Sequence, residues 1–274
     1  MSEPQVQFSR LLSGPDASVD LAEASLLIAS GEYPGLDVPR YLERLDEMGR
    51  EVRGRLPRGA VRGIDCLNAY LFGEEGFRGN VEDYYDPRNS FLNDVMDRRT
   101  GIPITLSTVY IEVARRAGLG VFGVGLPGHF LVGTQAAGRA VFVDPFHGGA
   151  LLSEADCQKR LDRVFEGRVR LGPGMLAPCP RKGILARMLR NLKAIYVKAG
   201  DYARGLRTID LLLRLDPRSA EDLRDRGLLH AEYGCYALAA ADLEACVGLA
   251  PAAPESPALR AKALEMRSKA KHLN

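Results

Sequence analysis

Three side chains in one stretch have the types that acyl-transfer chemistry needs. Ser107 closes the run Gly101-Ile102-Pro103-Ile104-Thr105-Leu106-Ser107, His129 follows Pro127-Gly128, and Asp144 follows Val141-Phe142-Val143. An aspartate can hold an imidazole in one tautomer, and the free ring nitrogen can then take a proton from a hydroxyl. Thr105 offers a second hydroxyl beside Ser107, and Asn93 upstream is a candidate polar helper or, more simply, a surface asparagine. The plainer alternatives are a hydroxyl that only caps a helix and a His–Asp pair that only satisfies its own hydrogen bonds.

These residues need a helix and a sheet to bring them together. Pro103 opens a helix whose face carries Leu106, Val109, Tyr110, Val113 and Ala117, and Gly118-Leu119-Gly120 ends it. Thr105 and Ser107 are expected in its first turn, where unpaired N–H groups and the positive dipole end favour an alkoxide. Strands follow over Val121 to Leu126, Phe130 to Val132 and Ala140 to Val143. If the hairpin is symmetric about the loop from Thr134 to Arg139, His129 stands directly opposite Asp144, with Cβ atoms about 5 Å apart. That face also carries Leu131 and Phe142, and the other carries Phe130, Val132, Val141 and Val143, so both faces should be covered.

The remaining elements read as support. Residues 1 to 17 form a loose lead-in. Helices follow over Val19 to Ser30 with Ser18 as cap, from Asp37 to Leu56-Pro57, from Ala60 to Phe72, and from near Asn89 until Gly101 stops the chain. After the hairpin, residues 150 to 168 carry Leu151, Leu152, Cys157, Leu161 and Val164 at helical spacing. The run Gly172-Pro173-Gly174 through Pro178-Cys179-Pro180 marks a domain boundary. Beyond it, an offset of 34 residues sets Gly200 on Gly234, Tyr202 on Tyr236, Leu215 on Leu249 and Pro217 on Pro251, the period of a tetratricopeptide repeat. The second copy has Gly227 and Ala239 where that repeat expects small residues, while the first has Lys193 and Gly205. The expected layout is an α+β domain over 1–178 (helical cover 1–100, core 101–168) and an all-α repeat domain over 181–274 with a capping helix.

Composition excludes several classes. The net charge is +2, although the stretch from Arg181 to His230 holds twelve Lys or Arg against six Asp or Glu. This balance gives no support for nucleic acid or a membrane as partner. Five scattered cysteines without C-x-x-C spacing read as reduced thiols, and Cys66 reads as core. No metal-ligand cluster, phosphate loop or dinucleotide motif is visible, so neither metal nor cofactor is expected. The N-terminus lacks a secretory pattern, which points to the cytoplasm.

Taken as a set, Gly101-Ile102-Pro103-Ile104-Thr105-Leu106-Ser107, Pro127-Gly128-His129-Phe130-Leu131, Asp144-Pro145-Phe146-His147-Gly148-Gly149 and Arg224-Asp225-Arg226-Gly227-Leu228 resemble the bacterial SirB-type family. Its members join a transglutaminase-like domain to C-terminal tetratricopeptide repeats. The resemblance implies a papain- or transglutaminase-like fold, with a nucleophile at the start of a core helix on an antiparallel sheet that carries histidine and then aspartate. His129 and Asp144 match those two. The class nucleophile is a cysteine, yet none lies between Cys66 and Cys157; Ser107 is the nearest match and Thr105 the next. A serine hydroxyl needs a stronger base than a thiol. The expected function is therefore a non-catalytic or weakly catalytic protein that binds a peptide or protein partner through its repeats and the inter-domain groove, in a regulatory role. A serine-dependent amidase or esterase using Ser107, His129 and Asp144 is one alternative, and a structural scaffold is another.

Overall fold

The computed structural model describes residues 3–56, 60–136, 139–172 and 174–272. The predicted exit at Pro57, the tip of the hairpin loop at 137–138, Pro173 of the linker and Leu273 lie outside them. The chain divides into two compact units, Met1–Met188 and Leu189–Asn274. The division falls inside the helix Arg181–Lys198, downstream of the glycine- and proline-rich run.

The first unit is built on α6 (Pro103–Ala117), which is buried along most of its length. Pro103 supplies the pre-set φ of a first helical residue, and Gly118 ends the helix. Around it pack α2 (Leu21–Ser30), α3 (Val38–Arg55), α4 (Ala60–Asn68) and α5 (Leu92–Arg98). Leu45, Met48, Leu67, Val95, Leu106, Val109 and Val113 share one core. Aspartates cap two of these helices: Asp20 accepts from the Glu23 N–H at 2.9 Å and Asp37 from the Arg40 N–H at 3.1 Å. Asp20, rather than Ser18, is thus the start signal of α2. The lead-in is itself a helix, α1 (Glu3–Leu12), with Phe8 and Leu12 buried. The chain leaves α4 through a wider π-helical stretch, Ala69–Glu74. Residue Arg99, in the left-handed region at φ 55°, ends α5, so Gly101 is not its stop; Gly101 instead belongs to β2 (Thr100–Gly101), paired in parallel with β1 (Arg78–Gly79). A Cβ on Gly79 would lie 2.5 Å from the Phe146 carbonyl oxygen and 2.7 Å from its ring, so only glycine lets this strand approach that ring.

A four-stranded antiparallel sheet follows, in the order β3 (Val121–Val124), β4 (Leu131–Ala136), β5 (Arg139–Asp144), β6 (Ala150–Leu152). Val132 faces Val143 and Ala136 faces Arg139. The strands therefore run further towards the tip than a loop from Thr134 to Arg139 allows, and the register differs by two residues from the symmetric expectation. His129 and Asp144 are diagonal, not directly opposed. A shift of two keeps every side chain on its face, so the pair still shares a side of the sheet. Val132 and Val143 join the helical core. On the other face Leu131 and Phe142 pack with Cys157 and Leu161 of α7 (Glu154–Phe165). Leu151 and Leu152 belong to β6 instead of the helix, and Leu151 and Val164 are exposed. Ser153 caps α7. Cys66 is half-buried with its thiol 3.8 Å from the Arg55 carbonyl, outside the core.

The second unit is all-helical. After the tail of α8 (Arg181–Lys198) come α9 (Tyr202–Leu215), α10 (Ala220–Glu232), α11 (Tyr236–Leu249) and α12 (Ser256–His272). The matched glycines have matched conformations, Gly200 at φ 72° and Gly234 at φ 71°, each turning the chain into the second helix of its pair. A Cβ on Gly227 would lie 2.9 Å from Leu243, so this helix pair meets at its backbone. In the first copy the matching residue, Lys193, instead reaches Asp222 at 2.9 Å and Asp225 at 2.8 Å. The last helix buries Leu259, Ala263 and Met266, while Leu264 on it stands exposed.

Candidate functional site

The structure brings His129 and Asp144 together. His129 Nε2 lies 3.0 Å from Asp144 Oδ1, with the histidine 8% and the aspartate 0% exposed. His129 sits just ahead of β4, on a turn in which its N–H donates to the Leu126 carbonyl at 3.0 Å. Arg187 holds that turn, donating to the carbonyls of Leu126 at 3.0 Å and His129 at 2.7 Å. Asp144 ends β5, where its carboxylate also accepts from the N–H groups of Phe146 at 3.2 Å and His147 at 3.3 Å. Such a relay leaves the second ring nitrogen for a nucleophile, and among the described residues no hydrogen bond reaches His129 Nδ1.

Two further residues complete the cluster. His147 Nδ1 lies 2.9 Å from Asp144 Oδ2, and Arg160 on α7 donates to the same oxygen at 2.6 Å. Arg160 also lies 3.2 Å from His129 Nε2 and 3.4 Å from His147 Nδ1. Burial alone would raise the Asp144 carboxyl; the His129 hydrogen bond and the charges of His129, Arg160 and His147 outweigh it and hold it below its ordinary value. The ligand atoms of His129, Asp144 and His147 lie within 4.8 Å of one another, a grouping that could hold a metal ion and that the sequence reading missed. The Arg160 guanidinium already sits against all three, so a fixed cation takes the place an ion would need.

Ser107 is placed elsewhere. It is the fifth residue of α6, just beyond the first turn, so the free N–H groups of the helix start are not beside it. Its hydroxyl is fully buried and makes no hydrogen bond, to His129 or to any described residue. Thr105, the third residue, serves as a strut. Its Oγ1 donates to the Asn89 carbonyl at 2.7 Å and accepts from the Ile102 N–H at 3.2 Å. Asn93 is 4% exposed rather than at the surface, and its Oδ1 meets no partner. Cys157, a thiol on which the charges of Arg160 and Asp144 act, is fully buried, and burial pushes it up to about 11.

A capped core helix against an antiparallel sheet that carries histidine and then aspartate, followed in sequence by paired helices, defines a transglutaminase-like domain with tetratricopeptide repeats. Residues 39–190 match the family model for the transglutaminase-like superfamily, and residues 192–263 match one for a tetratricopeptide repeat. A UPF0162 protein of Xylella fastidiosa (strain 9a5c) is 37% identical over 249 residues, covering 89% of each chain. One of Vibrio cholerae is 29% identical over 191 residues, 69% of this chain and 70% of the relative. F-box only protein 21 of Homo sapiens is 28% identical over 188 residues, 63% of this chain but 28% of that protein. The chain belongs to the UPF0162 proteins of the transglutaminase-like superfamily. No helix of the described residues is long and apolar enough to cross a membrane.

Proposed function

We propose that this chain is a non-catalytic transglutaminase-like protein that holds a peptide or protein partner through its repeats, in a regulatory role. The observation that carries the proposal is the separation of base from nucleophile: the His129–Asp144 pair is formed, yet the Ser107 hydroxyl is sealed without a hydrogen bond. A serine nucleophile has to be in hydrogen-bond reach of its base, directly or through one water. The buried, protonated thiol of Cys157 does not supply a thiolate in its stead. Stacked helices of the repeat kind offer a surface for a peptide, and Tyr233 and Leu238 are exposed there.

The test has two arms. A fluorophosphonate probe is expected to leave Ser107 unlabelled, and a panel of ester and amide substrates to remain intact. Labelling that Ser107→Ala abolishes would revive the serine hydrolase. Affinity capture followed by mass spectrometry is expected to find a partner that the repeat variant Leu238→Glu loses. Absence of any repeat-dependent partner would favour the scaffold.

A further inference from the structure

The segment between β1 and the turn at Pro87–Ser90 presents an unusual surface. Val81 is 75% exposed, Tyr85 65% and Tyr84 39%. Single exposed apolar residues need no explanation, whereas a contiguous group of them does. The backbone beneath this group is held from inside. Asn89, fully buried, donates from Nδ2 to the carbonyls of Asp83 at 2.7 Å and Tyr84 at 3.3 Å. Its Oδ1 accepts from Asn80 Nδ2 at 3.1 Å, and Asn80 Oδ1 accepts from the Asp83 N–H at 3.0 Å. A loop fixed before binding loses less entropy when a partner arrives. The rings also connect inward: Tyr85 to Tyr84 at 5.3 Å, Tyr84 to Phe146 at 6.0 Å and Phe146 to His129 at 6.2 Å, all edge-on.

Charge indicates what this surface takes. Glu82 and Asp83 are exposed in the same run, and among the described residues no ion pair reaches either carboxylate. Arg88 and Arg98 are committed to Asp86 at 2.7 Å and 3.4 Å, and Arg187, whose charge acts on Tyr84, holds the carbonyls of Leu126 and His129. Tyrosine faces attract a cation and unpaired carboxylates pair with one. A guanidinium, planar and weakly hydrated, does both better than an ammonium. We propose that the loop from Val81 to Tyr85 docks an extended, arginine-bearing apolar segment of a protein partner. The guanidinium lies over the tyrosines and against Glu82 or Asp83, and apolar side chains cover Val81. The inference rests on the partner-binding reading but places a contact outside the repeats.

The full chain is titrated with a fluorescein-labelled peptide of alternating arginine and leucine, and with the same peptide carrying glutamine for arginine, read by anisotropy at about 0.15 M salt. The chain's net charge of +2 gives a basic peptide no general attraction. The arginine peptide is expected to bind about tenfold more tightly than the glutamine one. Tyr85→Ala and the double variant Glu82→Gln/Asp83→Asn should each weaken it by about tenfold, and the double variant, which alters only exposed carboxylates, should keep its unfolding midpoint. Leu238→Glu should leave this binding intact, which separates failure here from failure of the repeat reading. Equal binding of the two peptides, no binding, or loop variants that bind like the parent would overturn the proposal. So would a dimer of the chain that Tyr85→Ala abolishes, since the loop's occupant would then be a second copy.

Discussion

Two buried polar regions of the first unit are treated in opposite ways. At the end of β5, the Asp144 carboxylate is met by His129, His147, Arg160 and two backbone N–H groups. Towards the start of α6, Ser90 Oγ, Asn93 Oδ1 and Ser107 Oγ are all buried and all unpartnered. The difference follows from charge. A buried carboxylate without partners is costly enough to neutralise itself or unfold its surroundings. An idle hydroxyl costs only a kilocalorie or so. The first region is therefore over-determined, and the second is tolerated. An active relay would show the reverse at its nucleophile, with the hydroxyl held and aimed.

The comparison can be broken at the carboxylate first. Asp144→Ala removes the anion and leaves the Arg160 cation without its partner, so urea unfolding should show a loss of about 3–5 kcal/mol. A loss no larger than that of Ser107→Ala would end the contrast. The pH dependence sharpens it. The folded-state carboxyl is held below its unfolded value of 3.8, so its contribution is fully present above that pH and lost as pH falls through the folded value. The stability gap between the parent and Asp144→Asn should therefore be flat at neutral pH and shrink below about pH 4. Thr105→Val removes the strut to the Asn89 carbonyl and should cost about 1–2 kcal/mol in the same unfolding assay. Ser107→Ala, two residues further along the helix, deletes a hydroxyl that has no partner. It should change stability by less than about 1 kcal/mol, with stabilisation the expected sign.

Much of this architecture is readable from local signals, and the failures are local too. Pro103, the apolar face from Leu106 to Val113, and Gly118 bound α6 correctly because each acts on its own backbone. The His129–Asp144 pair is found despite a wrong register. The error came from where the hairpin turns, and a two-residue slip preserves the face. Arg160 and His147 were not assigned to the cluster because their roles are set by tertiary approach: Arg160 reads simply as a charged residue beside Leu161 on α7. The start of α6 is legible, but Ser107 is its fifth residue, just beyond the first turn, and tertiary packing there seals its hydroxyl in the core. The 34-residue period of the repeats is legible because a solenoid repeats its contacts with its sequence.

Asn89 carries a consequence of another kind. One amide nitrogen holds the carbonyls of Asp83 and Tyr84, while the residue's own carbonyl receives Thr105. Deamidation to aspartate would delete both donors and set a carboxylate against two carbonyl oxygens. The main-chain link to α6 would survive. Chemical ageing at this one position would thus loosen the tyrosine loop and, because the new carboxylate is buried, lower the melting midpoint, so an old sample and a fresh one would differ in their melting curves.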